Sequence, residues 1–307
     1  MKVKEELFNK NGLAVIKLAG ELGSCRAGDR LPRIQDLAKQ MKLSVGTTQY
    51  GLNFLKDKNV VSLVSRGHLG TFIHSVNYHA LQDYMGTAVK ACVMPLPYSL
   101  RYEGLATAFS ELGNIKGKEK FFLAFMNGSC RRIKALLEQR YDCALVSRMA
   151  AEEHIARGAA MEIAAAYGPR SFLENHVLVF RTRSPAGIRK LGLDKESLDQ
   201  TLLSKKFLKS HPEVKVLNLA YTNIIKRILA GDADATVWNL DYIREHHPSL
   251  RFAPLDLSDC TDSMTEAVLA VRKGDMMTID YLTRHFPAAK VLKTQEAVLK
   301  GRRIPEY

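Results

Sequence analysis

Cysteine is scarce in this chain, and the spacing of the cysteines argues against two kinds of small scaffold. Among 307 residues there are five cysteines, namely Cys25, Cys92, Cys130, Cys143 and Cys260. They are odd in number and never form a Cys-x-x-Cys pair, which is the spacing that zinc cages and redox motifs use. We therefore expect buried thiols in a reducing cytoplasm, with no metal and no cofactor.

Long apolar segments and common catalytic motifs are also absent. No uncharged apolar run approaches the roughly 18 residues that cross a bilayer, so we expect no integral membrane protein. The glycine-rich nucleotide-binding patterns, the Gly-x-Ser-x-Gly turn and the His-Glu-x-x-His zinc motif do not occur. No histidine is placed to pair with Cys130, which lies at the start of a predicted helix. The expectation is a protein that is not an enzyme.

Positive charge is in excess along the chain. The sequence has 45 Lys and Arg against 32 Asp and Glu, a formal charge of +13, of which +6 lies in positions 1–80. Such an excess fits nucleic acid, an acidic membrane surface or an anionic small molecule as partner. The denser charge of the first quarter favours nucleic acid there, although a solvated basic face explains it equally well.

The N-terminal quarter has three helical patterns followed by the pattern of a β-hairpin. The helical patterns cover 11–20, 33–41 and 45–58, and the strand patterns cover 60–64 and 71–73. Pro32 suits the first turn of a helix, and Ser44 is a predicted N-cap. This order is that of a winged helix-turn-helix, which we predict for residues 1–76. Two short helices packed as a plain scaffold are the alternative.

A winged helix reads DNA with short polar side chains at the start of its second paired helix and with its wing. The residues at those places are the candidate contacts to double-stranded DNA. They are Arg33, Gln35, Ser44, Thr47, Thr48, Gln49, Arg66 and His68.

Residues 11–76 also carry a string of short motifs. The motifs are Gly28-Asp29-Arg30-Leu31-Pro32, Asp36-Leu37-Ala38, Ser44, Thr47, Gly51-Leu52 and Gly70-Thr71-Phe72-Ile73. This string resembles the DNA-binding domain of GntR-type bacterial regulators. That family usually has Ser-Glu-Arg where this chain has Arg33-Ile34-Gln35, and often has arginine at the positions of Val45 and Gln49. Glutamine reads adenine, so these differences imply either a shifted sequence preference or weaker binding.

The remaining two thirds alternate between strand and helix. Residues 77–90 have no clear apolar face, and we predict a linker there, with a helical linker at a dimer interface as the alternative. The predicted strands are 93–96, 121–126, 143–147, 176–180, 214–220, 235–240 and 266–272. Repeated strand–helix units predict a mainly parallel sheet covered on both faces.

The units fall into two clusters within residues 91–307. The chain leaves the first cluster near Gly168-Pro169 and returns to it near residues 264–271. This order resembles the two-lobed, type 2 periplasmic-binding-protein fold that serves as the effector domain of some regulators. The fold class we expect is therefore α/β after a winged helix, with lobe 1 at about 91–170 and 264–307 and lobe 2 at about 171–263. The combination resembles the YhfZ family.

In such a domain the resemblance implies a ligand between the lobes, against helix N-termini and the carboxyl ends of strands. The loops that correspond to these places supply the candidate effector-binding residues. They are Ser99, Arg101, Asn127, Gly128, Ser129, Tyr167, Tyr221, Thr222, Asn223 and Trp238. Arg101 is suited to hold a carboxylate or phosphate in a bidentate pair, which favours an anionic effector.

The function that the sequence predicts is a cytoplasmic, ligand-responsive transcriptional regulator. A homodimer is expected, because one winged helix buries too little surface for specific binding to DNA. The alternative is a solute-binding protein or small-molecule enzyme of the same fold, in which the winged helix serves only for dimerisation.

Overall fold

The structure is a computed structural model that describes residues 9–86, 89–115, 118–119, 121–255 and 261–307. Two compact units are formed. The first contains the chain up to Val89 together with Gly274–Arg284, and the second contains Lys90–Lys273 and His285–Tyr307.

Three helices form the body of the first unit: α1 (Lys10–Leu22), α2 (Ile34–Met41) and α3 (Val45–Asp57). The side chain of Asn9 caps α1 by accepting a hydrogen bond from the Gly12 amide at 2.7 Å. The predicted cap of α3 is confirmed, because the Ser44 hydroxyl accepts from the Thr47 amide at 3.1 Å. These side chains occupy amide groups that have no partner within the helix.

A hairpin follows, made of β1 (Val61–Ser65) and β2 (Thr71–Val76), which pair antiparallel. Its tip is a single turn of 3₁₀-helix at Gly67–Leu69. Gly67 and Gly70 have φ angles of +56° and +95°, which residues other than glycine rarely adopt. The predicted helix-turn-helix with a wing is present.

The segment predicted as a linker differs from that expectation. Residues Tyr78–Met85 form a helix, α4, capped by Asn77. Leu81 is fully buried with the apolar side chains of α1 and α3, and the Tyr78 hydroxyl donates to the Cys25 carbonyl at 2.6 Å. The apolar face is weak in the sequence, because Leu81 alone is fully buried and the half-buried Tyr78, Ala80, Tyr84 and Met85 supply the rest.

The second unit contains two mixed β-sheets covered by helices. Its strands are β3 (Lys90–Met94), β4 (Asn114–Ile115), β5 (Lys118–Glu119), β6 (Phe121–Phe125), β7 (Cys143–Ser147), β8 (Met161–Ala166), β9 (His176–Phe180), β10 (Lys190–Leu193), β11 (Lys215–Asn218), β12 (Ala235–Asn239), β13 (Arg251–Pro254) and β14 (Ala267–Arg272). The helices that follow α4 are α5 (Leu100–Gly113), α6 (Ser129–Leu137), α7 (Arg148–Ala156), α8 (Leu198–Ser210), α9 (Tyr221–Ala230), α10 (Leu240–His246), α11 (Thr261–Thr265), α12 (Met276–His285) and α13 (Ala288–Leu299). All but the last residue of α12 belong to the first unit.

The two sheets have the same strand order. In the described chain the first sheet, lobe 1, runs β6-β3-β7-β14-β8 and the second, lobe 2, runs β11-β10-β12-β9-β13. In each sheet the first three strands are parallel, and the fourth is antiparallel to both of its neighbours. Four of the five strands in each sheet therefore run in the same direction, as expected for a mainly parallel sheet, although half of the pairings are antiparallel.

The antiparallel strand explains the two-lobed architecture. β14 lies in lobe 1 although it follows lobe 2 in sequence, and β9 begins lobe 2 between strands that come later in the chain. The predicted α/β fold class, a helix-turn-helix region followed by two lobes, is confirmed. Strands β8, β10 and β13 were not predicted, because their sequences contain alanine, glycine, lysine or arginine in place of a β-branched run.

Two expectations from composition have structural counterparts. Among the described cysteines, Cys92 and Cys143 are buried and Cys25 and Cys130 are half-buried, all as free thiols. Cys260 lies outside the described residues. No helix within the described ranges has the length and apolarity that a membrane span requires.

Candidate functional site

The first candidate site is the face of the winged helix formed by α3 and the hairpin. Ser44 is exposed and Thr47 half-exposed at the start of α3, with their hydroxyl oxygens 2.8 Å apart. The predicted DNA contact of Thr48 is corrected by the structure. Its side chain is fully buried, and its hydroxyl donates to the Ser44 carbonyl at 2.9 Å. A side chain enclosed in this way cannot reach a base edge.

A cleft of about 630 Å³ lies between α2, α3 and the hairpin. It brings together four of the predicted contacts, namely Arg33, Gln35, Gln49 and His68. The cleft also contains Arg30 and Lys56, which sequence inspection missed. Lys56 is one turn or more beyond the polar start of α3, and Arg30 was assigned only to the turn motif.

The cleft is electropositive. Arg30, Arg33 and Lys56 are exposed, and within the described residues they form no ion pair. No acidic side chain is among the described residues that line the cleft. Unpaired guanidinium and ammonium groups with glutamine amides are the donors that contact phosphates and base edges.

Arg66 does not line this cleft. Its guanidinium lies over the ring of Phe72 on the neighbouring strand, with its central carbon 4.6 Å from the ring centroid. The residue is exposed on the wing, so the charge still faces solvent while the stem is held by the ring. This arrangement leaves Arg66 available to a phosphate near the wing.

The second candidate site is a cavity between the two lobes of the second unit. Its volume is about 40 Å³. The lining residues are Pro95, Tyr98, Tyr102, Asn127, Gly128, Ser129, Arg132, Phe172, Leu173, His176, Ser197, Asp199, Tyr221 and Asn239. They come from the carboxyl ends of strands and the starts of helices in both lobes, as expected for this fold.

The structure brings four of the predicted effector residues to this cavity: Asn127, Gly128, Ser129 and Tyr221. Gly128 has a φ angle of +82°, and a Cβ there would lie 2.9 Å from the carbonyl oxygen of Glu196. The Ser129 hydroxyl accepts from the Leu198 amide at 3.2 Å, which joins lobe 1 to the first helix of lobe 2. The turn at the start of α6 therefore forms one wall of the cavity.

Arg101, the predicted anion-binding residue, has another role. Its guanidinium forms a bidentate pair with Asp241 of lobe 2 at 3.2–3.3 Å. It also donates to the Arg170 carbonyl at 2.5 Å. Its donors are thus already used to join the lobes, and the expectation that it holds an effector is corrected.

The other predicted residues lie outside the cavity. Tyr167 is in the core of lobe 1, only 2% exposed, with its ring 5.7 Å from that of Phe109. Thr222 and Asn223 are exposed on α9, because the first turn of that helix turns them to solvent. Ser99 is buried, and the described part of the chain supplies no hydrogen-bond partner for its hydroxyl. These four side chains do not line the cavity.

Trp238 lies one layer behind the cavity wall. Its ring stacks on that of Tyr221 with centroids 4.2 Å apart. The Tyr221 hydroxyl in turn lies 2.5 Å from the hydroxyl of Tyr98 in lobe 1. Trp238 therefore positions Tyr221 and does not itself line the cavity, which corrects its predicted contact with ligand.

Arg132 is the most informative residue that sequence inspection missed. It is only 4% exposed, and its guanidinium donates to the carbonyls of Leu145 at 3.0 Å and Met126 at 2.8 Å. Burial lowers the pKa of Arg132, with nearby Tyr102 and other groups acting in the opposite direction. The available signal was its position on α6, where it shares the buried face with Ile133, Ala135 and Leu136.

Two further titratable groups face the cavity from lobe 2. Burial raises the pKa of Asp199 to about 6, while hydrogen bonding by Ser147 and the charge of Arg132 act to lower it. Burial lowers the pKa of His176 to about 4, with the charge of Asp241 acting in the opposite direction. The His176 Nδ1 and the Asn239 Nδ2 are buried and have no hydrogen-bond partner among the described residues. Buried polar atoms of this kind are unusual and costly.

Cys130 is placed unfavourably for nucleophilic chemistry. Burial raises the pKa of its thiol, and the charges of Glu196 and Asp199 raise it further. Thiol rather than thiolate is thus the favoured form near neutral pH.

Comparison with known proteins agrees with both units. Residues 77–307 match the YhfZ C-terminal domain, and residues 26–73 match a helix-turn-helix domain. The chain belongs to the YhfZ family. Protein YhfZ of Escherichia coli K12 is 30% identical over 311 residues, which cover 99% of this chain and all of that protein.

Solved structures support the same assignment. The crystal structure of YhfZ from Shigella flexneri matches with a TM-score of 0.61 and 31% identity, covering 75% of this chain and 98% of that chain. The methionine binding protein MetQ has a TM-score of 0.50 at 10% identity, covering 72% of this chain and 99% of that one. The second likeness shows the fold alone: this YhfZ family member has the lobes of a periplasmic binding protein.

Proposed function

We propose that this chain is a transcriptional regulator that binds double-stranded DNA through its winged helix and a small-molecule effector between the lobes of its second unit. The observation that carries the DNA-binding part is the electropositive cleft beside α3. Arg33, Gln35, Gln49 and Lys56 meet there without an acidic neighbour among the described lining residues. The motifs similar to GntR-type regulators support a docking mode in which α3 enters the major groove.

The effector part rests on the cavity between the lobes. Arg132, Asp199, His176 and Asn239 line it with buried polar side chains. Two of them, His176 and Asn239, each have an atom without a hydrogen-bond partner among the described residues. A few polar side chains that converge in a cleft between lobes can fix the orientation of a bound small molecule. An effector that favours one arrangement of the lobes shifts the population of that state, and DNA affinity follows.

We further propose a cytoplasmic homodimer without enzymatic activity. Two half-sites about 34 Å apart, one turn of DNA, would accept two winged helices. Light scattering coupled to size exclusion, with and without operator DNA, measures the assembly. A single winged helix per DNA molecule at saturation would contradict the dimer.

The experiment that tests DNA binding is a salt series of gel shifts with fragments from the region upstream of the gene. We expect an affinity that falls steeply with salt, and a slope reduced by about 1 in Arg33→Ala, since each phosphate contact contributes about 0.9. Lys10→Ala is the matched control, because Lys10 is an exposed cation at the start of α1 outside the cleft. An affinity independent of salt would overturn the proposal and favour a solute-binding protein whose winged helix only dimerises.

A further inference from the structure

Two buried side chains of opposite charge face the same interlobe cavity without forming an ion pair with each other. Arg132 of lobe 1 donates to two backbone carbonyls, and Asp199 of lobe 2 accepts from the Ser147 hydroxyl at 2.8 and 2.9 Å. Within the described residues, neither has an oppositely charged group within 4.0 Å. They are 4% and 6% exposed.

Such an arrangement is costly unless something else completes it. A buried guanidinium is stabilised by an anion, and a buried carboxylate by a cation or by several donors. The two backbone carbonyls at Arg132 and the Ser147 hydroxyl at Asp199 supply only part of this stabilisation. A molecule that carries both charges at its two ends would satisfy Arg132 and Asp199 together.

The unpartnered atoms in the cavity point to the same kind of molecule. The Asn239 Nδ2 is a donor, because the Oδ1 of the same amide already accepts from the Asp241 amide at 2.8 Å. Next to it, the His176 ring is 7% exposed and has an unpartnered Nδ1. A ligand with carboxylate oxygens and N–H groups offers partners to both.

We propose that the cavity binds a small zwitterion of the amino-acid class, with its carboxylate on Arg132 and its ammonium group on Asp199. This inference rests on the effector-binding role proposed above and names the class of effector. The two contacts come from different lobes, so the ligand holds the lobes closed. Phosphate, sulfate or a simple carboxylic acid would pair with Arg132 and leave Asp199 beside a second negative charge.

The size of the cavity limits the ligand. A volume of about 40 Å³ accommodates few heavy atoms. The apolar part of the wall, formed by Pro95, Phe172 and Leu173, would contact a side chain. Amino acids with short side chains therefore fit best with the lobes as they stand.

The experiment is calorimetric titration of the full-length protein with each of the twenty common L-amino acids, with lactate and with ethylamine. We expect binding by one or more small amino acids. We expect affinities at least about tenfold weaker for lactate and ethylamine, since each lacks one of the two charged contacts.

Variants assign the contacts. Asp199→Asn should weaken binding of the amino acid about tenfold or more. The same change should strengthen binding of lactate, because it removes the negative charge beside the bound carboxylate. Arg132→Lys should weaken both, and it keeps the buried charge if Arg132→Gln fails to fold. Arg131→Gln is the matched control, because Arg131 is exposed one residue earlier on α6 and should bind as the unmodified chain does.

Two results would overturn the inference. They are binding of no amino acid in the panel, and amino-acid binding that Asp199→Asn and Arg132→Lys leave unchanged. Gel shifts on the same preparations separate this failure from failure of the regulator proposal. If another metabolite alters DNA binding while amino acids do not, the regulator stands and the ligand class is wrong.

Discussion

Asp199 and His176 give the free energy of unfolding two opposite dependences on pH. The pKa of Asp199 is raised to about 6 from an ordinary 3.8, so the folded chain holds a proton that the unfolded chain releases. The stabilisation of the folded chain by the raised pKa of Asp199 is complete at low pH and is lost as pH rises through 6. The pKa of His176 is lowered to about 4 from 6.5, so its effect is complete above 6.5 and is lost as pH falls toward 4.

These pKa shifts predict two variants whose free energies of unfolding change with pH in opposite directions. Between pH 7.5 and 5.0, His176→Gln should gain about 1 kcal/mol of stability as Asp199 protonates. Over the same interval Asp199→Asn should lose about 2 kcal/mol as His176 resists protonation. The unmodified chain should lie between the two variants, because it contains both groups. Urea unfolding at four pH values measures this, and parallel curves for all three proteins would contradict the assignment.

Adjacent threonines on α3 have different roles and give a second prediction. Thr48 is fully buried, and Thr47 is half-exposed at the proposed DNA face. Thr48→Ala should lower the free energy of unfolding by about 1 kcal/mol and leave DNA affinity unchanged. Thr47→Ala should leave the free energy of unfolding nearly unchanged and should weaken binding to DNA in a gel shift. Thermal unfolding and gel shifts on both variants decide, and equal effects of the two changes would show that α3 is rotated from its proposed orientation.

At the scale of elements, the contact between α1 and α3 depends on a glycine. A Cβ at Gly51 would lie 2.8 Å from the Leu18 Cδ1 and 3.2 Å from the backbone carbonyl carbon of Ala14. The Leu18 methyl group can move, but the backbone of α1 cannot do so without separating the helices. Close packing of α1 on α3 therefore requires the absence of a side chain here.

Gly51→Ala should lower the free energy of unfolding by about 1–3 kcal/mol, although alanine favours helix. Gly46→Ala is the matched control on the same helix, because a Cβ at Gly46 meets nothing within 4 Å. That change should leave stability equal or raise it by a few tenths of a kcal/mol. Urea denaturation of both variants is the measurement, and an equal gain in both would contradict the close approach.

Sequence patterns predict the position of some strands but not the direction in which they pair. Periodicity located β7 and β9 at their observed bounds, because continuous apolar runs such as Cys143–Ser147 bury both faces. Pairing direction was not predictable, since β14 reaches lobe 1 from a distant part of the chain.

The site was partly predictable. Helix starts such as Asn127, Gly128 and Ser129 are visible in sequence because caps and turns are local. Arg132 was missed because burial of an arginine depends on the tertiary structure around it.

At the scale of the molecule, contacts between the lobes decide whether the cavity opens. Arg101 and Asp241 form a partly buried pair across the lobes, with side chains 13% and 7% exposed. The Leu100 amide donates to Glu245 at 3.1 Å beside it. These contacts favour the closed arrangement of the lobes, and an effector that contacts both lobes would favour it further.

Arg101→Met should therefore open the lobes and cost about 3 kcal/mol of stability, because it leaves Asp241 buried without its partner. Small-angle scattering should show a larger radius of gyration, and a saturating effector should reverse the change. Arg148→Met is the control, since Arg148 pairs with Glu266 inside lobe 1 and its loss should lower stability without moving the lobes. An unchanged radius in Arg101→Met would show that packing of Met149 on Leu203 and Val237, rather than the ion pair, keeps the lobes together.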